Sequence, residues 1–124
     1  MDFLCFKGNH GKDFAIPISD AVSIIASPII TRAPGAVKSV LGMTKYLDEI
    51  IAVVDLSLAL EGEYEQVETM IVVQGNSQFG ILVERITGIE RNSIPDGCSL
   101  LDVRDFEKNL DGNRASHIVD IELF

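Results

Sequence analysis

The feature that most constrains the fold is an uninterrupted apolar run, Ile50–Val54, with an acidic residue on each side. The run is too short for a typical helix, and a strand this apolar must be covered on both faces. Elsewhere glycine and proline divide the chain into short runs rich in Ile and Val, the pattern of a sandwich or barrel. The sequence therefore predicts an all-β domain with a central strand that is buried on both faces.

Turn residues separate the other predicted strands. Gly75-Asn76-Ser77 is typical of a hairpin turn, and Asp48-Glu49 of a tight turn just before the apolar run. Apolar spacing of three and four at 55–61 predicts one or two helical turns, where the chain crosses between two halves. Residues 100–110 are ambiguous between strand and helix. The predicted strands are 2–7, 14–18, 21–27, 29–32, 37–47, 50–54, 68–74, 78–84, 86–89 and 116–121.

Composition limits the partners. The 124 residues include 10 basic and 19 acidic side chains, and the net charge of -9 repels nucleic-acid phosphates and anionic lipid headgroups. No apolar run approaches the roughly 20 residues that span a bilayer, and Asp2 stands where a secretory signal carries a basic residue. We therefore expect one cytoplasmic domain that binds no nucleic acid and does not insert into a membrane.

The two cysteines, Cys5 and Cys98, lie far apart in the sequence and form no close-spaced pair of the zinc or redox kind. Cys5 lies inside an apolar stretch. Because free cysteines are usually buried, two reduced and mostly buried thiols are favoured over a disulfide.

No group of residues in the sequence predicts catalysis. Ser116, His117 and Asp120 are the residue types of a nucleophilic triad, but neighbours on a strand point to opposite faces. Asp48 and Glu49 are adjacent carboxylates, and at a turn both are normally hydrated and ionised. We therefore expect a protein without enzymatic activity.

Metal and cofactor sites are not indicated either. Glu107, Asn109 and Asp111 have the spacing of the first ligands of a calcium loop, but Ile118 stands where the closing glutamate is required. No histidine has a partner at ligand spacing, and no glycine-rich loop precedes a helix. We expect no cofactor and no metal and, by elimination, a module that binds through its surface.

The run Ile50–Val54, continued by Asp55-Leu56, resembles the CheW-like domain, the adaptor that couples chemoreceptors to the histidine kinase CheA. The similarity covers nearly the whole chain and consists mostly of apolar spacing around turn residues, so it is more specific for fold than for activity. The other segments that resemble the family in order and spacing are Phe14–Ile18, Pro34–Val40, Met70–Val73, Phe79–Ile86 and His117–Ile121.

The resemblance implies two small SH3-like five-stranded barrels that share a core, with short helical segments. It implies a single domain over 1–124, with approximate halves 14–62 and 66–124 and the N-terminal strand 2–8 packed on the second half. The family binds the regulatory domain of a CheA-type kinase through one barrel, and the hairpin tip of a methyl-accepting chemoreceptor in a groove between the barrels. By position, the receptor groove would involve Ala21, Ser39, Thr69, Met70 and Ile89.

One turn departs from the family pattern. The family usually has Leu-Arg-Gly before the buried strand, whereas this chain has Leu47-Asp48-Glu49. Acidic residues at this turn predict a partner surface that carries Lys or Arg, because exposed opposite charges steer association. The leading interpretation is a non-catalytic signalling adaptor that couples a chemoreceptor to a CheA-type kinase. The alternative is a CheW-like binding module that serves another two-component or motility pathway.

Overall fold

The computed structural model describes residues 1–8, 11–32, 40–55 and 69–108, and within them the chain is mostly β-strand. A 3-10 turn covers Ile18–Asp20, and residues 103–108 form a short helix, α1. The strands are β1 Asp2–Lys7, β2 Asp13–Pro17, β3 Ala21–Ala26, β4 Thr31–Arg32, β5 Val40–Tyr46, β6 Glu49–Asp55, β7 Thr69–Gln74, β8 Gln78–Val83, β9 Arg85–Arg91 and β10 Ser99–Leu100.

These strands form two sheets. The smaller has the order β10-β2-β1-β9, and the larger has the order β3-β7-β8-β6-β5-β4. Most neighbours are antiparallel, but β6 and β8 pair in parallel in the middle of the larger sheet, and β10 pairs in parallel with β2. The predicted all-β class is confirmed, as are the hairpins β1-β2 and β7-β8.

Two apolar clusters cover the larger sheet on its two faces. The inter-sheet core lies between the sheets and includes two stacked aromatic pairs, with ring centroids 5.8 Å and 6.4 Å apart. The second core lies on the other face of the larger sheet and consists of Leu41, Ile51, Val53, Met70, Val72 and Leu82. The inter-sheet core consists of Leu4, Phe6, Phe14, Ile16, Val54, Ile71, Val73, Phe79, Ile81, Val83, Val103 and Phe106.

Strand β6 has the two-sided burial that its sequence predicts. Ile51 and Val53 belong to the second core, whereas Val54 belongs to the inter-sheet core and Ala52 packs against it. Successive side chains of a strand point to opposite faces, so an apolar strand serves both clusters only if both of its faces are covered. Ile50 is the exception, because its side chain is 65% exposed at the start of the strand.

Helix α1 is fastened to the β7-β8 turn by a buried carboxylate. Glu107 is buried, its Oε1 accepts a hydrogen bond from the Asn76 N–H at 2.6 Å, and its Oε2 accepts two from Ser77, from the N–H at 3.1 Å and from the hydroxyl at 2.7 Å. A Cβ at Gly75 would overlap Oε1, so a larger residue there would displace the Glu107 carboxylate from these hydrogen bonds. Asp102 caps the helix by accepting a bond from the Asp105 N–H at 3.0 Å.

Several predicted boundaries differ from the structure, and two of the differences concern how the chain turns or changes sheet. The tight turn lies at Leu47-Asp48, one residue earlier than predicted, because Leu47 adopts a left-handed φ of 56° and Glu49 already pairs with Tyr46 in the ladder. The segment predicted at 86–89 does not extend β8. It is part of β9, which belongs to the smaller sheet and pairs there with β1, so the chain passes from one sheet to the other after β8.

Several sequence predictions fall outside the described residues. They are the helical turns beyond residue 55, the strand at 116–121 and the first three residues, 37–39, of the strand predicted at 37–47. The halves 14–62 and 66–124 stay a prediction for the same reason. The N-terminal strand β1 pairs with β9 on one side and with β2 on the other.

Shortening Ile51 to alanine should lower the free energy of unfolding by about 2 to 5 kcal/mol, because it removes buried methylene groups and leaves a cavity in the second core. Ile51 is 4% exposed, whereas its neighbour Ile50 is 65% exposed, so Ile50→Ala is a matched control with a cost below about 1 kcal/mol. Urea unfolding measures both. Equal midpoints for the two variants would contradict the assignment of the buried face.

Replacing Glu107 by glutamine should destabilise the chain by about 1 to 3 kcal/mol, because an amide NH2 group cannot accept and would leave donors of the turn unsatisfied. The same change at the exposed Glu49 is the control and should be almost neutral. Thermal unfolding followed by circular dichroism compares them. A Glu107→Gln variant as stable as the control would mean that the carboxylate does not fasten α1.

Candidate partner-binding surfaces

The first candidate surface is the inter-sheet rim, formed by side chains on the core-facing sides of the edge strands β3 and β9. Ile24 pairs with Ile71 of the inter-sheet core and therefore points to the same face, but it is 48% exposed. Ile89 pairs in the same way with the buried Leu4, yet it is 60% exposed. At both edges the face that forms the core thus continues into solvent as exposed apolar surface.

Three of the predicted groove residues lie on these core-facing sides. Ala21 pairs with Val73 and packs against the inter-sheet core, and Thr69 begins β7 on the face that it shares with Ile71. Both side chains are half-buried, whereas Ile89 is exposed. Ala21 and Thr69 stand at opposite ends of the β3-β7 ladder, so the rim follows the length of the edge strand.

Met70 does not lie on this rim. Its side chain points to the other face of the sheet, is fully buried in the second core, and leaves so little space at Gly80 that a Cβ there would overlap its Sδ. A partner in the groove would therefore not touch Met70, and truncating Met70 would destabilise the core. Ser39, the remaining predicted groove residue, lies outside the described part of the chain.

The second candidate surface is the hairpin pocket, which lies between the end of β3 and the β5-β6 hairpin. It has a volume of about 640 Å³ and is lined mainly by Ile25, Ile29, Met43 and Ile50. Three of these are strongly exposed, at 87% for Ile29, 65% for Ile50 and 45% for Met43. The hydroxyl of the buried Thr44 donates a hydrogen bond of 2.5 Å to the Ile29 carbonyl, which fixes one wall to the hairpin.

The β5-β6 turn projects beside this pocket with an apolar and acidic tip. Leu47, Asp48, Glu49 and Ile50 are all exposed in succession, and Leu47 is 76% exposed. Leu47 has a left-handed φ, which is energetically costly for leucine. Such strain is unusual at a turn without a function. Among the described residues, no ion pair reaches Asp48 or Glu49, so both carboxylates are available to a partner.

The described residues include no group of three or more His, Cys, Asp or Glu side chains that could hold a metal ion. Glu107, the first residue of the calcium-loop spacing, accepts hydrogen bonds from the β7-β8 turn. Ser116, His117 and Asp120, like Asn109 and Asp111, lie outside the described residues. Within the same described part, no helix is long and apolar enough to cross a bilayer.

Sequence reasoning missed Ile24 and the hairpin pocket. The sequence of β3 contained a signal for Ile24, because Val22, Ile24 and Ile25 place apolar side chains on both sides of the strand. In the structure, exposed and half-buried residues alternate along this strand. Pairing decides which of these side chains is exposed, because among the described strands β3 has a neighbour on only one side. The left-handed conformation of Leu47 has no signal in the sequence, since turns of this kind normally contain glycine or asparagine.

Comparisons with known proteins agree with this architecture. The family model of the CheW-like domain matches residues 2–96. Among solved structures, the scaffolding protein TtCheW from Thermoanaerobacter tengcongensis superposes with a TM-score of 0.62 at 20% identity, covering 75% of this chain and 68% of that one. No curated protein matches the chain significantly in sequence.

The likeness to TtCheW supports the predicted fold of two barrels with a shared core. The family match extends from β1 to the turn before β10 and includes both candidate surfaces. The chain therefore belongs to the family of CheW-like domains, which are adaptors without enzymatic activity, as the resemblance of its apolar runs predicted.

Proposed function

We propose that this chain is a cytoplasmic adaptor that couples the hairpin tip of a methyl-accepting chemoreceptor to the regulatory domain of a CheA-type histidine kinase. The observation that carries the proposal is the presence of two exposed apolar surfaces on opposite faces of one sheet. Ile24 lies on the inter-sheet rim, whereas the next residue, Ile25, lines the hairpin pocket. An adaptor needs two surfaces of this kind, because it must bind both partners at once.

The inter-sheet rim suits an amphipathic helix, which is the shape of a receptor tip. Ile24 and Ile89 supply exposed apolar area on core-facing sides of edge strands, and Ala21 and Thr69, on the same side of the larger sheet as Ile24, are half-buried. A helix binds a groove by burying the apolar side chains of one face, spaced three and four residues apart. We assign the receptor to this surface.

The hairpin pocket and its turn suit a folded domain. The pocket offers an apolar cavity, and the tip adds Leu47 and two carboxylates that have no ion-pair partner among the described residues. A buried apolar anchor surrounded by a polar rim is the usual anatomy of a protein interface. We assign the kinase regulatory domain to this surface.

A second candidate function is a CheW-like module of another two-component or motility pathway. Asp48 and Glu49, where the family usually has Arg-Gly, favour it because they reverse the charge that a partner would meet. Affinity purification of the tagged chain from its own cells decides between the two. Recovery of a chemoreceptor together with a CheA-type kinase supports coupling, and recovery of neither would contradict it. The net charge of -9 argues against nucleic acid in either case.

Placing a carboxylate on the rim should weaken binding of a receptor tip about tenfold or more, because Ile24→Glu or Ile89→Glu would bury a charge without a partner. The thermal midpoint should stay nearly constant, since both side chains are already exposed. Leu100→Glu is a matched control, because Leu100 is 53% exposed on β10 at the opposite edge of the smaller sheet. Calorimetry against a receptor-tip peptide measures the affinities. Native affinity in both rim variants would place the receptor elsewhere.

Reversing the charge of Asp48 should slow association with the kinase domain several-fold, because exposed charges steer encounter more than they hold a complex. The difference between Asp48→Arg and wild type should almost vanish at about 1 M salt, where the Debye length is about 3 Å. Asp96→Arg makes the same change of charge at another exposed turn and is the control. Stopped-flow kinetics measures the on-rates. An on-rate indifferent to salt and to Asp48→Arg would make the turn an ordinary solvated loop.

A further inference from the structure

The β5-β6 turn contains one residue whose backbone conformation is unfavourable for its type. Tyr46 pairs with Glu49, so the loop consists of Leu47 and Asp48, and of these two only Leu47 has a positive φ, of 56°. A two-residue hairpin loop with a positive φ at its first position alone normally has glycine there, because a Cβ crowds the backbone in this conformation. The Leu47 side chain is 76% exposed, so burial does not compensate for the strain.

The other residues of this conformation differ from Leu47. Besides Leu47 and glycines, only Ser27 and Asn92 have a positive φ among the described residues. Asparagine adopts this conformation readily, because its short polar side chain can hydrogen-bond locally. The Met1 carbonyl also accepts a hydrogen bond of 2.8 Å from the Asn92 N–H. Leu47 has no polar side chain, so nothing in the described part of the chain explains why leucine occupies this position.

The turn is held firmly at its base. Strands β5 and β6 stay paired up to Tyr46 and Glu49, and Tyr46 packs against the second core. The Thr44 hydroxyl donates a hydrogen bond of 2.5 Å to the Ile29 carbonyl, which joins the hairpin to the segment after β3. A group that is fixed before binding loses less entropy when a partner immobilises it. The hairpin therefore presents Leu47 to a partner in a preset position.

The neighbours of Leu47 indicate what kind of surface would receive it. Ile50 is 65% exposed on the same turn and enlarges the apolar area. Asp48 and Glu49 are exposed, and among the described residues no ion pair or hydrogen bond reaches their side chains. Apolar side chains next to unpaired carboxylates complement an apolar pocket that has Lys or Arg at its rim.

We propose that Leu47 is the anchor residue of the kinase-binding surface, retained despite its strain because it enters an apolar pocket with a basic rim on the kinase regulatory domain. The inference rests on the proposed function and adds to it the anchor residue and the chemistry of the partner. A few side chains that become fully buried in a partner's pocket usually supply most of the binding energy of an interface. The free chain thus loses stability, and the complex gains affinity, at the same residue.

Three substitutions at Leu47 separate the effect of the side chain from that of the backbone. Leu47→Asn suits the left-handed conformation but lacks the apolar side chain, so the thermal midpoint should rise by about 2 to 6 °C while the affinity for the kinase falls about tenfold or more. Leu47→Ala keeps the strain, so its affinity should fall similarly at a nearly constant midpoint. Leu47→Met keeps an apolar side chain of similar size and should change neither quantity much.

Scanning calorimetry measures the midpoints, and titration calorimetry against the full-length CheA-type kinase from the same cells measures the affinities. Leu100→Ala is the matched control, because Leu100 is 53% exposed on β10, and it should bind like wild type. The ratio of wild-type to Leu47→Asn affinity should be the same at about 0.1 M and about 1 M salt, since salt screens charges and not apolar contacts.

Wild-type affinity in Leu47→Asn or Leu47→Ala, or an unchanged midpoint in Leu47→Asn, would overturn the inference and leave coupling to the kinase intact. Failure of the wild-type chain itself to bind the kinase would contradict the proposed function, and the inference with it. The two failures are therefore distinguished by the wild-type titration alone.

Discussion

Two-sided burial of β6, β7 and β8 is the constraint on which the rest of the structure depends. Each of these strands supplies side chains to both cores, so neither face of the larger sheet can be left to solvent at its centre. The parallel pairing of β6 with β8 follows from this position, since parallel neighbours are found mainly where both faces are covered. The smaller sheet and α1 cover one face, and β5 extends the second core through Leu41 on the other.

Cover on both faces ends at the edge strand β3 of the larger sheet, and both candidate surfaces include side chains of this strand. Apolar side chains continue along β3, but among the strands that the structure describes β3 has a neighbour on one side only. A monomer rarely exposes contiguous apolar side chains without a function, because such patches favour association. Ile24, Ile89, Ile29 and Ile50 are exposed apolar side chains of this kind, and the proposed partners would cover them.

The fold was largely predictable, because its main determinants are local. The run Ile50–Val54, the glycine turn at Gly75 and the first hairpin each read directly as strand or turn, and the structure confirms them. The boundary at Leu47 was not predictable, since only its backbone conformation decides which residues form the turn. Residues 103–108 were ambiguous in sequence because their helix is fastened by Glu107 to a turn that lies far away in the chain.

The candidate site was predictable only in part, for a different reason. Ala21, Thr69 and Ile89 were placed by resemblance, and register places all three on core-facing sides. Met70 has the same apolar character and follows Thr69 directly, but alternation sends it to the opposite face, where it fills the second core. A one-residue difference in a strand thus separates a side chain on the rim side of the sheet from a residue of the second core, and composition cannot distinguish them.

The same alternation bears on how an adaptor could relate its two partners. Ile24 and Ile25 are consecutive on β3, yet one side chain faces the inter-sheet rim and the other lines the hairpin pocket. A helix bound on the rim and a domain bound at the pocket would therefore contact one backbone segment from its two sides. Movement of an edge strand is less restrained than that of a central one, because it has half the ladder hydrogen bonds. Strand β3 is accordingly the shortest physical connection between the two surfaces, and any coupling between the partners has to be sought there first.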